Sequence, residues 1–118
     1  MTMTRVEMKA RTKSFALQVI RAVQALPKGR ETNVLGTQLL RAGTSVGSNY
    51  RAVCRAKSTA DFINKLKIVE EEADEALFWM ELLVESDLVP LEKLESLMKE
   101  ADEIVAMIVA SQKTARES

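Results

Sequence analysis

The chain contains no histidine. That removes the commonest general base and the commonest transition-metal ligand together. It also removes the Glu-x-x-His pair on which di-iron helical bundles rely. Cysteine occurs once, at Cys54, so neither an intrachain disulfide nor a thiolate zinc cluster can form, and a reducing compartment is the natural setting. Four glycines and two prolines punctuate the whole chain, and aromatic residues are 4% of it. So few breakers argue against sheets, which need many turns, and for long helices. No run of about 18 apolar residues occurs, so no segment reads as a membrane span. The opening Met1-Thr2-Met3-Thr4-Arg5 leads through charges to Phe15 with no apolar stretch. It is expected to be a packing helix in preference to a secretory signal or transit peptide, and the protein to be cytoplasmic.

What is present suits one globular domain: 118 residues, 47% of them apolar, enough for one core and too few for two. The net charge is zero but unevenly spread. Residues 1–57 carry 11 Lys/Arg and 2 Asp/Glu, a balance of +9, and residues 58–118 carry 6 and 15, a balance of −9. Two basic helices packed against two acidic ones would account for this. A basic face for a polyanion would do so as well.

Apolar periodicity predicts four helices. Met8, Phe15, Val19, Ala22 and Leu26 share one face of the first, which starts near Glu7 and stops at Pro27-Lys28-Gly29. A second starts at a Thr32 or Asn33 cap and carries Leu35, Leu39, Ala42, Val46, Tyr50 and Val53. Ser58-Thr59-Ala60-Asp61 resembles a capping box for the third, whose stripe is Phe62, Leu66, Val69, Ala73, Ala76, Met80 and Leu83. After Ser86-Asp87-Leu88-Val89, Pro90 or Leu91 opens a fourth, with Leu94, Leu97, Ala101, Ile104 and Ile108 inward. Similar lengths and short connections predict an all-α, antiparallel up-and-down four-helix bundle. It forms a single domain over residues 4–114, with a frayed terminus at 115–118.

Catalytic and cofactor chemistry finds little support. The run Glu70-Glu71-Glu72-Ala73-Asp74-Glu75 reads as a solvated face, and Ser45 has no His or Lys partner for nucleophilic catalysis. Gly43-Thr44-Ser45-Val46-Gly47-Ser48 lacks the lysine of a phosphate-binding loop. No enzyme activity, metal, cofactor or small-molecule substrate is expected. The second helix is unusual in its small residues: Gly36, Gly43, Gly47 and Cys54 line one flank of its core stripe. Each interior glycine costs about 1 kcal/mol against alanine, so a close helix approach is expected there. Gln38, Ser45 and Asn49 on the other flank are expected to bond to neighbouring helices and fix register. On the third helix Phe78, Leu82, Ile68 and Trp79 lie outside the core stripe. Such surplus apolar surface predicts a subunit interface, to which Gly43 and Gly47 are also assigned. Leu17 on the first helix points outward in the same way.

Several runs then follow one family pattern: Pro27-Lys28; Gln38-Leu39-Leu40-Arg41-Ala42-Gly43-Thr44-Ser45-Val46-Gly47-Ser48-Asn49-Tyr50-Arg51; Ala60-Asp61-Phe62-Ile63-Asn64-Lys65-Leu66; Glu70 to Glu75; and Trp79-Met80-Glu81-Leu82-Leu83. Over roughly residues 10–90 the chain resembles the bacterial four-helix bundle proteins named after the 23S rRNA intervening sequence. It departs from them at Ala52, where relatives often carry a glutamate. The resemblance implies a homopentamer of bundles. It also implies kinship with the accessory variability determinant of diversity-generating retroelements, which partners a reverse transcriptase and binds nucleic acid through basic surfaces. Family membership fixes the fold far better than the function.

The leading reading is a non-enzymatic oligomeric module that engages RNA or a ribonucleoprotein partner. Arg41, Arg51, Arg55 and Lys57, with Arg21, Lys28 and Arg30 behind them, would contact phosphates, which position a nucleic acid without reading its sequence. The alternative is a structural or protein-binding oligomer whose charges only pair its helices.

Overall fold

The structure, a computed structural model, describes residues 3–118; Met1 and Thr2, where the segment read for a leader begins, lie outside the described residues. Four helices follow in order: α1 (Arg5–Gln24), α2 (Arg30–Val53), α3 (Thr59–Glu85) and α4 (Leu91–Glu117). No strand occurs among the described residues. Consecutive helices pack side by side and α1 closes the ring against α4, giving a bundle of 47 × 24 × 20 Å. At about 1.5 Å per residue, the 27 residues of α3 or α4 nearly span that length.

Helix boundaries follow local chemistry. α1 starts two residues earlier than its periodicity suggests. Thr4 caps it, accepting the Glu7 N–H (3.1 Å), while the Glu7 carboxylate accepts the Thr4 N–H (2.9 Å). This reciprocal box satisfies two otherwise orphaned donors. The carboxyl of Glu7 is accordingly held below its ordinary pKa, chiefly by the Thr4 backbone bond. α2 begins at Arg30 on a Gly29 cap, so Thr32, expected as a cap, is instead buried within the first turn. Ser58 caps α3 as expected, accepting the Asp61 N–H at 3.1 Å. Asp61 does not return the bond to Ser58: its carboxylate takes the Lys57 N–H (3.0 Å) and the Lys65 ammonium (2.6 Å).

The α3–α4 turn is a Schellman motif. Leu88 N–H donates to the Leu83 carbonyl and Asp87 N–H to the Val84 carbonyl. Asp87 sits in the left-handed region at φ 63°, as this motif requires. α4 then runs to Glu117, past the point where fraying was expected to begin. Gln112, buried, donates to Glu70 of α3 at 2.7 Å, and Arg116 donates back to Gln112 at 3.4 Å, which ties the last turns down.

One core fills the bundle. Val19, Leu39, Val46, Leu66, Val69, Ala73 and Met80 are fully or almost fully buried, as are Phe15, Leu83, Ile104 and Ile108. The four seams around this core differ. α1 and α2 approach through glycines. Across α2 and α3 runs the Arg41 ion pair, and across α3 and α4 the Glu70–Gln112 bond. Between α1 and α4 the Arg11 guanidinium grips Glu100 with two bonds of 2.7 Å and Glu103 with one of 3.0 Å. Those bonds hold the Arg11 pKa far above its ordinary value, the Glu100 bond contributing most.

Candidate nucleic-acid interface and subunit contact

The glycines of α2 set its register on α1. A Cβ on Gly43 would lie 2.6 Å from Val19 Cγ2 and 2.9 Å from Val19 Cβ; one on Gly47 would lie 3.2 Å from the Thr12 carbonyl oxygen. Both glycines therefore serve the α1–α2 contact within the chain. Gly43, expected at a subunit interface, is buried beside Val19 of α1, and the missing Cβ of the partly buried Gly47 is what lets the backbone of α1 pass.

With Gly47 opposite Thr12 and Lys13, antiparallel geometry sets the levels of the neighbouring turns. One turn on, Arg51 comes level with Lys9, and Arg55 follows in the turn beyond the end of α2. Lys9, Lys13, Arg51 and Arg55 are exposed. Among the described residues none of these four has a carboxylate within ion-pair distance; the ion pairs found involve Arg11, Arg30, Arg41 and Lys65. Lys57 follows in the α2–α3 turn with its ammonium likewise unpaired, and Arg21 and Lys28 stand exposed toward the opposite end.

Arg41 departs from the expected group. It reaches across to α3, where it donates to Glu72 at 3.2 Å and to Glu75. The guanidinium holds the Glu75 carboxyl below its ordinary pKa, and Glu75 in turn raises that of Arg41. Its half-buried acidic partners make it a clamp between helices rather than a free phosphate ligand. Arg30 is fully exposed but leans on its neighbour Glu31 at 3.1 Å. Lys9 and Lys13 did not stand out in the sequence. Their four-residue spacing puts them on one face of α1, yet only the register with α2 shows that they flank Arg51.

The polar flank of α2 bonds within its own helix rather than across to neighbours. Ser45 Oγ donates to the Arg41 carbonyl at 2.7 Å, and Asn49 Nδ2 to the Ser45 carbonyl at 2.8 Å. A short polar side chain on a helix can satisfy itself on the carbonyl one turn back, which is why no cross-helix partner is needed. Gln38 is half-buried on the same flank.

Phe78 and Ile68 are 48% and 46% exposed. Trp79 and Leu82 are half-buried, and Trp79 stacks edge-on to Phe78 at 5.1 Å while its indole N–H donates to Glu75 at 3.2 Å. Arg41 opposite Glu72 and Glu75 sets the α2–α3 register, which brings Val34 of α2 (58% exposed) level with the turn that holds Trp79 and Leu82. The surplus apolar surface thus extends from α3 onto α2. Among the described residues no three Asp, Glu or Cys side chains gather where they could hold a metal, and no helix is long and apolar enough to cross a membrane.

A sequence profile for the 23S rRNA-intervening sequence protein matches residues 4–110. A solved structure from Bacteroides thetaiotaomicron, described as a protein of unknown function from the S23 ribosomal protein family, is 35% identical to this chain. It superposes with a TM-score of 0.83, over 90% of this chain and 98% of that one. No curated protein sequence matches. On the profile match and on a shared all-helical architecture, the chain belongs to the 23S rRNA-intervening sequence protein family.

Proposed function

We propose that the chain is a non-enzymatic, oligomeric helical module that holds RNA, free or within a ribonucleoprotein such as one containing a reverse transcriptase. The basic outer seam of α1 and α2 is the binding surface. One observation carries the reading. Among the described residues the acidic half of the chain forms ion pairs with two cations of the basic half, Arg11 and Arg41, and leaves Lys9, Lys13 and Arg51, with Arg55 in the turn after α2, exposed and unpaired. If charge served only to join helices, these four would be expected to face the carboxylates of α3 and α4. The family name, which refers to an intervening sequence in 23S rRNA, agrees in substrate class. Subunits would meet through Phe78, Ile68, Leu82 and Val34, and a cyclic assembly, a pentamer by family resemblance, would repeat the basic seam around its rim.

Retention of RNA by the assembled protein, titrated at two salt concentrations, tests this. Neutralising phosphates releases counterions, so log affinity falls with log salt with a slope of about −0.7 per phosphate contacted on a single strand. Changing Lys9, Lys13, Arg51 and Arg55 together to Ala should flatten that slope by about 2–3 and lower affinity for unrelated sequences alike. Absence of salt-sensitive retention by the intact assembly would remove the RNA reading. The clamps at Arg11 and Arg41 support a second one, in which the module is a structural or protein-binding oligomer. There the quadruple change would leave behaviour as it was, and Arg41→Ala would loosen the α2–α3 seam.

A further inference from the structure

Side chains cap the first turns of α1 and α3, but none caps that of α2. Gly29 stands at the cap position there. The first backbone bond of the helix runs from the Asn33 N–H to the Gly29 carbonyl. The N–H groups of Arg30, Glu31 and Thr32 therefore have no main-chain partner and point out of the helix start. One of them is covered from its own residue. The Glu31 carboxylate bends back onto the Glu31 N–H and is held below its ordinary pKa by that bond first, then by the Arg30 guanidinium at 3.1 Å.

Thr32 adds an unused donor at the same point. It is 3% exposed, yet its hydroxyl makes no hydrogen bond to a described residue. The oxygen is not sealed in, because no enclosed side-chain polar atom lacks a partner. Gly29 shows where it points: a Cβ on that glycine would meet Thr32 Oγ1 first, at 3.6 Å, and Thr32 Cβ at 3.9 Å. The hydroxyl thus leads toward the cap position, where a serine or aspartate side chain would accept an N–H of the first turn. A hollow of about 260 Å³ opens beside it, bordered by Thr32, Asn33 and Lys28 and by Val23 and Leu26 of the preceding segment. Lys28 is exposed and has no carboxylate within ion-pair distance among the described residues.

We propose that the start of α2 is a binding site for a terminal phosphate group. The phosphate would accept from the Thr32 hydroxyl and from the N–H groups of Thr32 and Arg30, and would replace the Glu31 carboxylate at its own N–H. Lys28, two residues ahead of the helix, would add its charge. A helix start draws anions, and the bent-back Glu31 carboxylate is one already. A phosphate carries about two charges and three acceptor oxygens, so it can take several of these donors at once. The site lies at the far end of the α1–α2 hairpin from Lys9, Lys13 and Arg51, and it stands without the RNA reading of that seam.

Amide-resolved NMR titration of the intact protein with inorganic phosphate, at an ionic strength held constant with chloride, should move the signals of Arg30, Glu31 and Thr32 first. Thr32→Val keeps the shape of a side chain that bonds to nothing in the chain, and should weaken phosphate by about tenfold. Thr32→Ser keeps the hydroxyl and should bind within about twofold of wild type. Glu31→Gln removes the competing carboxylate and should tighten binding by about twofold to fivefold. Changing Lys9, Lys13 and Arg51 to Ala should leave phosphate binding as it was. A second arm compares one RNA sequence with and without a terminal phosphate. A preference for the phosphorylated form that Thr32→Val abolishes assigns the group to an RNA end. Equal binding of the two forms, beside Thr32-dependent binding of free phosphate, assigns it to a small phosphorylated molecule. Unmoved signals at the three amides, or phosphate binding that Thr32→Val and Glu31→Gln both leave unchanged, would overturn the site.

Discussion

Replacing Gly43 by alanine sets two opposed effects against each other, and the structure decides between them. Alanine in a helix interior is favoured over glycine by about 1 kcal/mol. Against this, the new Cβ would stand 2.6 and 2.7 Å from the two methyl carbons of Val19 and 2.9 Å from its Cβ. Valine in a helix has essentially one χ1 rotamer, and turning it would not move the Cβ. The two helix backbones must therefore separate, and overpacking of this kind costs about 1–3 kcal/mol or more. The net expectation is a loss of about 0–2 kcal/mol or more, read as a lower urea midpoint at unchanged slope. Two sister substitutions calibrate it. At Gly36 the obstacle is Leu26 Cδ1 at 2.9 Å, the free end of a flexible side chain beyond the end of α1, so Gly36→Ala should gain up to about 1 kcal/mol. Gly47→Ala meets a backbone oxygen at 3.2 Å and should fall between the two. Val19→Ala combined with Gly43→Ala should recover at least about 1 kcal/mol relative to additivity. If Gly43→Ala proves as stable as Gly36→Ala, the close α1–α2 approach is wrong. If its loss of stability appears only on dilution, Gly43 belongs to a subunit contact after all.

Three further outcomes are expected. Asp87→Gly should raise stability by about 0.5–1 kcal/mol, since glycine occupies the left-handed position of a Schellman motif without a Cβ penalty; a lowered thermal midpoint would contradict the turn geometry. Because Arg41 depresses the folded-state pKa of Glu75, the pair's contribution is complete above the ordinary carboxylate pKa and is lost as pH falls through the depressed folded value. Glu75→Gln should therefore lower stability at neutral pH and flatten its decline in acid, measured by urea unfolding across pH 2–7; equal acid slopes would show that the clamp does not form. Phe78→Glu should dissociate the assembly in sedimentation while leaving helical circular dichroism intact, and a wild type that is already monomeric at micromolar concentration would exclude the apolar surface as a subunit contact.

The helices were legible because their signals are local. The stripe from Leu66 to Leu83 recurs at helical spacing within one segment, and Ser58 caps the residue three places along, so neither needs knowledge of the rest of the chain. Boundaries were less legible where a glycine or a threonine could serve either as a cap or as a first-turn residue, as at Gly29 and Thr32. The candidate site was harder still, since the sequence does not state which cations meet carboxylates. Arg41 and Arg51 are both arginines of α2, ten residues apart. At 100° per residue they differ by about 80° around the axis. That difference turns Arg41 over the α3 seam toward Glu72 and Glu75 and turns Arg51 over the α1 seam beside Lys9. Charge counting treats the two as equivalent; which seam each overlooks depends on where α1 and α3 sit, and the glycines of α2 fix the first of these. Three glycines on one flank announced a close neighbour without naming it. Once Gly43 is seen beneath Val19, the neighbour is α1, the opposite flank must meet α3, and the arginines separate into a clamp and a free surface. The small residues of that flank are thus the ones that decide which side of the bundle is left positive.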